Sequence, residues 1–159
     1  MLNIRPMTDT DAIYLLDIDL KGSEIPLGIE EWQIIANLSN WVIFVADWMG
    51  EPTGFIVFDS TPQAVEVHKL SCKPIERSST ILETLLGVAE AEARVTGSNL
   101  VRCLVPECSC GGAYDVADWL NSMGYLATKV EPDMFWFYGR NYDTFHFEKH
   151  TRESTTYVL

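Results

Sequence analysis

Hydrophobic positions recur along this chain with two spacings, and the switches between them divide it into elements. A short apolar opening closes at Arg5-Pro6. The spacing then turns helical: Thr8-Asp9-Thr10-Asp11 offers N-cap chemistry, and Ile13, Leu15, Leu16, Ile18 and Leu20 supply the apolar side. The run KGSEIPLG at 21–28 reads as a loop. A second helix over 29–38 sets Ile29, Trp32, Ile35 and Ala36 along one stripe. From Trp41 the period is that of strands. WVIFVADW (41–48) and GFIVFDS (54–60) predict a strand pair across Met49-Gly50-Glu51-Pro52. In AVEVHKLSC (64–72), strict alternation puts Glu66, His68, Leu70 and Cys72 on one face. Val65, Val67, Lys69 and Ser71 fall on the other, and Lys73-Pro74 ends the strand.

Helical spacing returns at Thr80, where Thr80 and Glu83 fit a capping box. Ile81, Leu82, Leu85, Leu86, Ala89 and Ala93 form its buried stripe, and Gly97 supplies the C-terminal stop. LVRCLV (100–105) predicts a buried strand. A last helix at about 112–123 buries Val116, Trp119, Leu120 and Met123 and ends at Gly124. Strands at about 125–137 and 142–149 flank a Tyr138-Gly139-Arg140-Asn141 turn, ahead of a polar tail at 150–159. No repeat or linker interrupts the series, so residues 1–149 read as one domain. The order β-α-α-β-β-β-α-β-α-β-β predicts an α/β fold with a mixed sheet, the helix after the third strand of the run crossing to a parallel neighbour.

Composition narrows the function classes. At 159 residues and 47% hydrophobic content, the chain suits a single globular core that buries roughly 70% of the surface of the unfolded chain. No apolar run reaches the length of about 18 residues that a membrane span needs. The start carries no basic segment ahead of an apolar stretch. The expectation is a soluble, cytoplasmic protein without a membrane role. The net charge of −12 would repel a phosphate backbone, which argues against nucleic acid. The acids are concentrated early: residues 1–60 carry ten against Arg5 and Lys21. Lys69, Lys73 and Arg77 form a local basic cluster. That asymmetry suits a cationic partner and one anionic ligand. Cys72, Cys103, Cys108 and Cys110 read as reduced thiols, because Cys108-x-Cys110 has no second pair and His68, His146 and His150 are scattered. No metal site is expected.

Several of these segments together resemble the GCN5-related N-acetyltransferase (GNAT) superfamily, over nearly all of residues 2–149. IRPMTDTDA resembles the opening strand and helix of that family, and EVHKLSCKP (66–74) its fourth strand. RSSTILETLL (77–86) stands where the family has a phosphate-binding loop and the helix after it. AYDVADWLNSMGY (113–125) resembles its fourth helix, and YGRNYDTFHFEK (138–149) its closing hairpin. The resemblance implies about seven strands in a mostly antiparallel sheet with helices on both faces. It also implies acetyl-CoA as cosubstrate and an amine as acceptor. Members are often homodimers.

The implied coenzyme contacts are the backbone of Leu70, Ser71 and Cys72, beside the pantetheine arm, and Arg77, Ser78, Ser79, Thr80, Ile81 and Leu82 around the phosphates. Lys73 is a further phosphate candidate. Two departures stand out. Thr80 and Leu82 fill positions where the family loop has glycines, so Leu82 is expected to crowd the phosphates and weaken the coenzyme's grip. Leu120 stands where a tyrosine often serves as general acid, and Tyr114, Cys108 and Cys110 do not align, so no general acid is assigned. An amine of pKa ~10 must lose a proton before it attacks a thioester. Glu66 and His68 are the candidate bases, either acting directly or through water. The aromatic run Met134–Tyr138 would line the acceptor pocket on one side of its strand. Two functions stay open: an N-acetyltransferase acting on a cationic small-molecule or protein amine, and a non-catalytic relative that works by binding another protein.

Overall fold

The computed structural model describes residues 1–23, 26–107, 116–137 and 140–151, with the backbone alone for those of residues 134–141 that it includes. The strands are β1 (Leu2–Pro6), β2 (Trp41–Trp48), β3 (Glu51–Ser60), β4 (Val65–Cys72), β5 (Leu100–Pro106), β6 (Leu126–Phe137) and β7 (Arg140–His150). The helices are α1 (Ala12–Gly22), α2 (Ile29–Ala36), α3 (Ser78–Thr96) and α4 (Val116–Ser122), with a short 3₁₀ turn at Asp9–Asp11. The strands form one sheet in the order β1-β2-β3-β4-β5-β7-β6. Only β4 and β5 run parallel, joined through α3 as expected; every other neighbouring pair is antiparallel.

Two apolar cores sandwich the sheet. On one face Ile81, Leu85, Leu86, Ala89 and Ala93 of α3 pack with Ile56, Phe58, Val65, Val67, Val101, Cys103 and Phe147. On the other, Leu15 and Ile18 of α1 and Trp32 of α2 pack on Ile43, Val45, Phe55 and Val57. Burying side chains of this size contributes about 1.5–3 kcal/mol each.

Several sequence expectations need correction. Of the apolar side of α1, Leu15 and Ile18 are buried, but Ile13 and Leu20 are 67% and 66% exposed. Their positions on the wheel turn them away from the sheet. β3 starts at Glu51, because Met49 and Gly50 alone make the turn, both at positive φ. The capping box at Thr80 does not form. α3 begins at Ser78, with Arg77 as an N-cap lacking a side-chain bond, so Thr80 already lies within the helix. Its end agrees with expectation: Gly97 takes φ 82°, a left-handed cap that a side chain would strain. Cys108, Cys110, Tyr114, the Tyr138-Gly139 turn, the side chains of the 134–138 run and most of the polar tail lie outside the described residues.

Candidate active site

The parallel ladder between β4 and β5 is short. It pairs Val65 with Val101, Glu66 with Arg102 and Val67 with Cys103, and then stops. β4 nevertheless continues to Cys72, paired only with β3, and β5 continues to Pro106, paired with β7. A wedge therefore opens beyond Val67, where the His68–Cys72 stretch of β4 is no longer in register with β5.

A bulge sits at the vertex of this wedge. Val57 of β3 faces Lys69 and the next residue, Phe58, faces Val67, so His68 is the extra residue. The bulge reverses the phase of β4. Val65, Val67, Leu70 and Cys72 all turn toward α3. Glu66, His68, Lys69 and Ser71 make their contacts on the α1 side of the sheet. The expected grouping of Glu66 and His68 with Leu70 and Cys72 is thereby corrected: strict alternation holds only up to the bulge.

Each polar group at the vertex has a defined partner. His68 Nε2 is hydrogen-bonded to Asp59 Oδ1, and its ring stacks on Trp41 with centroids 4.0 Å apart and planes 5° from parallel. A carboxylate on Nε2 favours the tautomer with the proton there, leaving a lone pair on Nδ1. Glu66 lies 2.9 Å from the Arg102 guanidinium, whose Nε is 2.5 Å from Glu148. Arg102 thus clamps two carboxylates across β4, β5 and β7. Further along β7, buried His146 Nε2 lies 3.0 Å from Glu131 Oε1, and among the described residues the buried Thr144 hydroxyl has no hydrogen-bond partner.

The end of α1 presses on the wedge from its own face. Asp19 is fully buried. Its carboxylate accepts from Lys69 Nζ at 2.6 Å, the Ser23 hydroxyl at 2.5 Å and the Leu27 amide at 2.7 Å. Desolvation pulls the Lys69 pKa down, opposed by the attraction of Asp19. A side chain on Gly22 would place its Cβ 2.3 Å from the Cys72 carbonyl oxygen and 2.6 Å from Ser71 Oγ, so this contact requires glycine. Burial pushes the Cys72 thiol up from its ordinary value.

At the N-terminus of α3 the expected phosphate set divides. Arg77, Ser79 and Thr80 are exposed around the first helical turn, whose leading amides have no i−4 acceptor. The Ser78 hydroxyl is used inside the turn, accepting from the Ile75 amide and lying 2.7 Å from the Lys73 and Ile75 carbonyls. Ile81 is a core residue, and Leu82 packs against the same core. Leu82 is half-buried, with part of its side chain against that core. The basic cluster is largely compensated: Lys69 goes to Asp19, Lys73 lies 3.6 Å from Asp17, and Arg77 lies 5.7 Å above the Trp48 ring. Among the described residues no His/Cys/Asp/Glu group has the makings of a metal centre.

The sequence reading missed Asp59, Trp41, Asp19 and Glu148. Arg102 left a visible signal, a lone charge inside the apolar run LVRCLV.

No protein-family model matches the sequence, and no curated protein matches it. Solved structures do. The ribosomal-protein-S18-alanine N-acetyltransferase of Escherichia coli superposes with a TM-score of 0.75 at 12% identity, over 100% of this chain and 99% of its own. The aminoglycoside 6'-N-acetyltransferase from Enterococcus faecium gives 0.72 at 16%, over 95% and 98%. Arabidopsis thaliana NAA60 in complex with acetyl-CoA gives 0.73 at 16%, over 94% and 98%. This chain has the GNAT fold. The coverage is close to end to end in each of the three. At these identities the likeness speaks for the fold alone.

Proposed function

We propose that this protein transfers an acetyl group from acetyl-CoA to an amine, with His68 as the base. The observation that carries the reading is the His68–Asp59 pair at the vertex of the β4–β5 wedge. The open edge of β4 suits an extended pantetheine arm running toward that vertex. The exposed first turn of α3, with Arg77, Ser79 and Thr80, suits the phosphates. A fold that also holds acetyl-CoA in NAA60 supports the cosubstrate.

The chemistry is then simple to balance. The amine nitrogen bonds to the thioester carbonyl carbon, His68 Nδ1 takes the amine proton, and the C–S bond breaks to release coenzyme A thiolate, which is protonated by water. Asp59 orients the ring and stabilises the imidazolium that forms. Glu66 is the weaker candidate, because Arg102 already occupies its carboxylate. The acceptor reaches the vertex from the α1 side, where His68 turns. A cationic amine suits the acidic first third of the chain.

Acetyl-CoA at about 100 times its Kd is expected to stabilise the fold by ~2.7 kcal/mol. His68→Ala should keep that stabilisation and lose about 10²–10⁴-fold in kcat/KM against any amine that the wild type acetylates. Turnover by His68→Ala at the wild-type rate would refute the assignment. A non-catalytic role is the second reading, favoured by the compensation of Lys69 and Lys73. It takes over if acetyl-CoA at millimolar concentration produces no thermal shift and no amine is acetylated.

A further inference from the structure

The His68 ring stacks on Trp41, and a separate cavity also counts Trp41 among its lining residues. Its volume is about 180 Å³, and it is lined by Met7, Thr8, Asp9, Ile35, Ala36, Trp41 and Ile43. His68 is not among the lining residues, so an occupant would touch Trp41 without touching the base. The walls come from the loop after β1, the end of α2 and the start of β2. The cavity thus lies on the α1 side of the sheet, outside the β4–β5 wedge.

The charge here is unbalanced. Nearby Asp11 and Asp47 are both neutralised by Arg5, through contacts of 2.7–3.2 Å. Asp9 is exposed at the rim, and among the described residues no cation pairs with it. A carboxylate without a cationic partner and an indole in one lining, together with the Met7 thioether, Ile35 and Ile43, make a setting that favours organic cations over anions. The volume limits the guest to a small one.

We propose that this cavity binds an organic ammonium group, held by the Asp9 carboxylate and the Trp41 indole. By packing against Trp41 the guest would hold the platform on which His68 stacks. The ammonium can come from two sources: the far end of an acceptor carrying a second cation, or a separate small molecule. The first of these rests on the acetyltransferase reading; binding itself does not.

The probe is tetramethylammonium, which cannot be acetylated. It is titrated into the intact protein while the Trp41 indole N–H is followed in nitrogen–proton correlation spectra, that signal being identified by its loss in Trp41→Phe. A saturable shift is expected, absent with sodium chloride at equal ionic strength and with tert-butanol. Asp9→Asn, an exposed substitution outside the wedge, should weaken binding about ten-fold. A shift that never saturates, or equal affinity in Asp9→Asn, overturns the proposal. The source is decided by comparing a diamine with a monoamine as acceptors. If only the KM of the diamine rises in Asp9→Asn, the guest is the far end of the acceptor; if neither KM moves while tetramethylammonium still saturates, it is a separate molecule. Failure of acetyl-CoA to bind would defeat the transferase reading and leave the titration intact.

Discussion

Replacing Lys69 by methionine tests how strongly the end of α1 is tied to the wedge. Lys69 Nζ stands 2.6 Å from a carboxylate that is itself fully buried. Methionine keeps most of the stem and removes the ammonium, leaving Asp19 with the Ser23 hydroxyl and the Leu27 amide as neutral donors. Removing one partner of a buried ion pair costs about 3–5 kcal/mol. For a chain of this size that lowers the melting midpoint by about 6–20 °C. Asp19→Asn should be milder, about 1–3 kcal/mol, since the amide oxygen still accepts and Lys69 can shed its proton. Its deficit should also shrink as pH rises. A lysine whose folded pKa lies below the ordinary 10.5 binds fewer protons folded than unfolded, so stability climbs with pH up to that value. The double variant should lose less than the two single losses combined. Thermal and urea unfolding at neutral and alkaline pH read all of this. A Lys69→Met protein within about 0.5 kcal/mol of wild type would refute the reasoning.

Two further outcomes are expected. The paired hydrogen bonds from Arg5, assisted by Thr8, hold the Asp11 carboxyl at a pKa of about 2 against an ordinary 3.8. The folded state therefore binds fewer protons, and about 2 kcal/mol of stability present above pH ~4 should drain away as pH falls toward 2. Acid titration of unfolding should show a shallower slope in Asp11→Asn. Met49 is 70% exposed at φ 55° in the turn between β2 and β3, so Met49→Asn should stabilise by about 0.5–1 kcal/mol. An unchanged urea midpoint would show that the turn carries no strain.

The fold was legible because its signals are local. The α3 stripe from Ile81 to Ala93 and the apolar runs of β2, β3 and β5 can each be read without knowing their neighbours. The site was less so, because its geometry depends on one register slip. Alternation through VEVHKLSC gives the wrong companions for His68, since no residue in that run announces a bulge. Asp59 looked like the polar end of a strand until pairing with β4 set it against Glu66 and brought it to His68. The capping box failed for a different reason. Ser78 binds back to the Lys73 and Ile75 carbonyls, which lets the helix start earlier than Thr80. Lys69, Lys73 and Arg77 look alike in sequence, and their separate fates are fixed by Asp19, Asp17 and Trp48, which lie distant along the chain.

The short β4–β5 ladder also makes the sheet two plates meeting at a seam. β1 to β4 form one plate and β5, β7 and β6 the other, and the ladder between them pairs Val65–Val67 with Val101–Cys103. What spans the join is α3, whose Ile81, Leu85 and Ala89 share one core with strands on both sides. Apolar packing tolerates small sliding better than a hydrogen-bonded ladder does, so the plates have a built-in line of give. A molecule lying in the wedge would act as a rivet across it. The amides nearest the seam would then exchange with solvent more slowly, while those of the outer strands, β1 and β6, would hardly change.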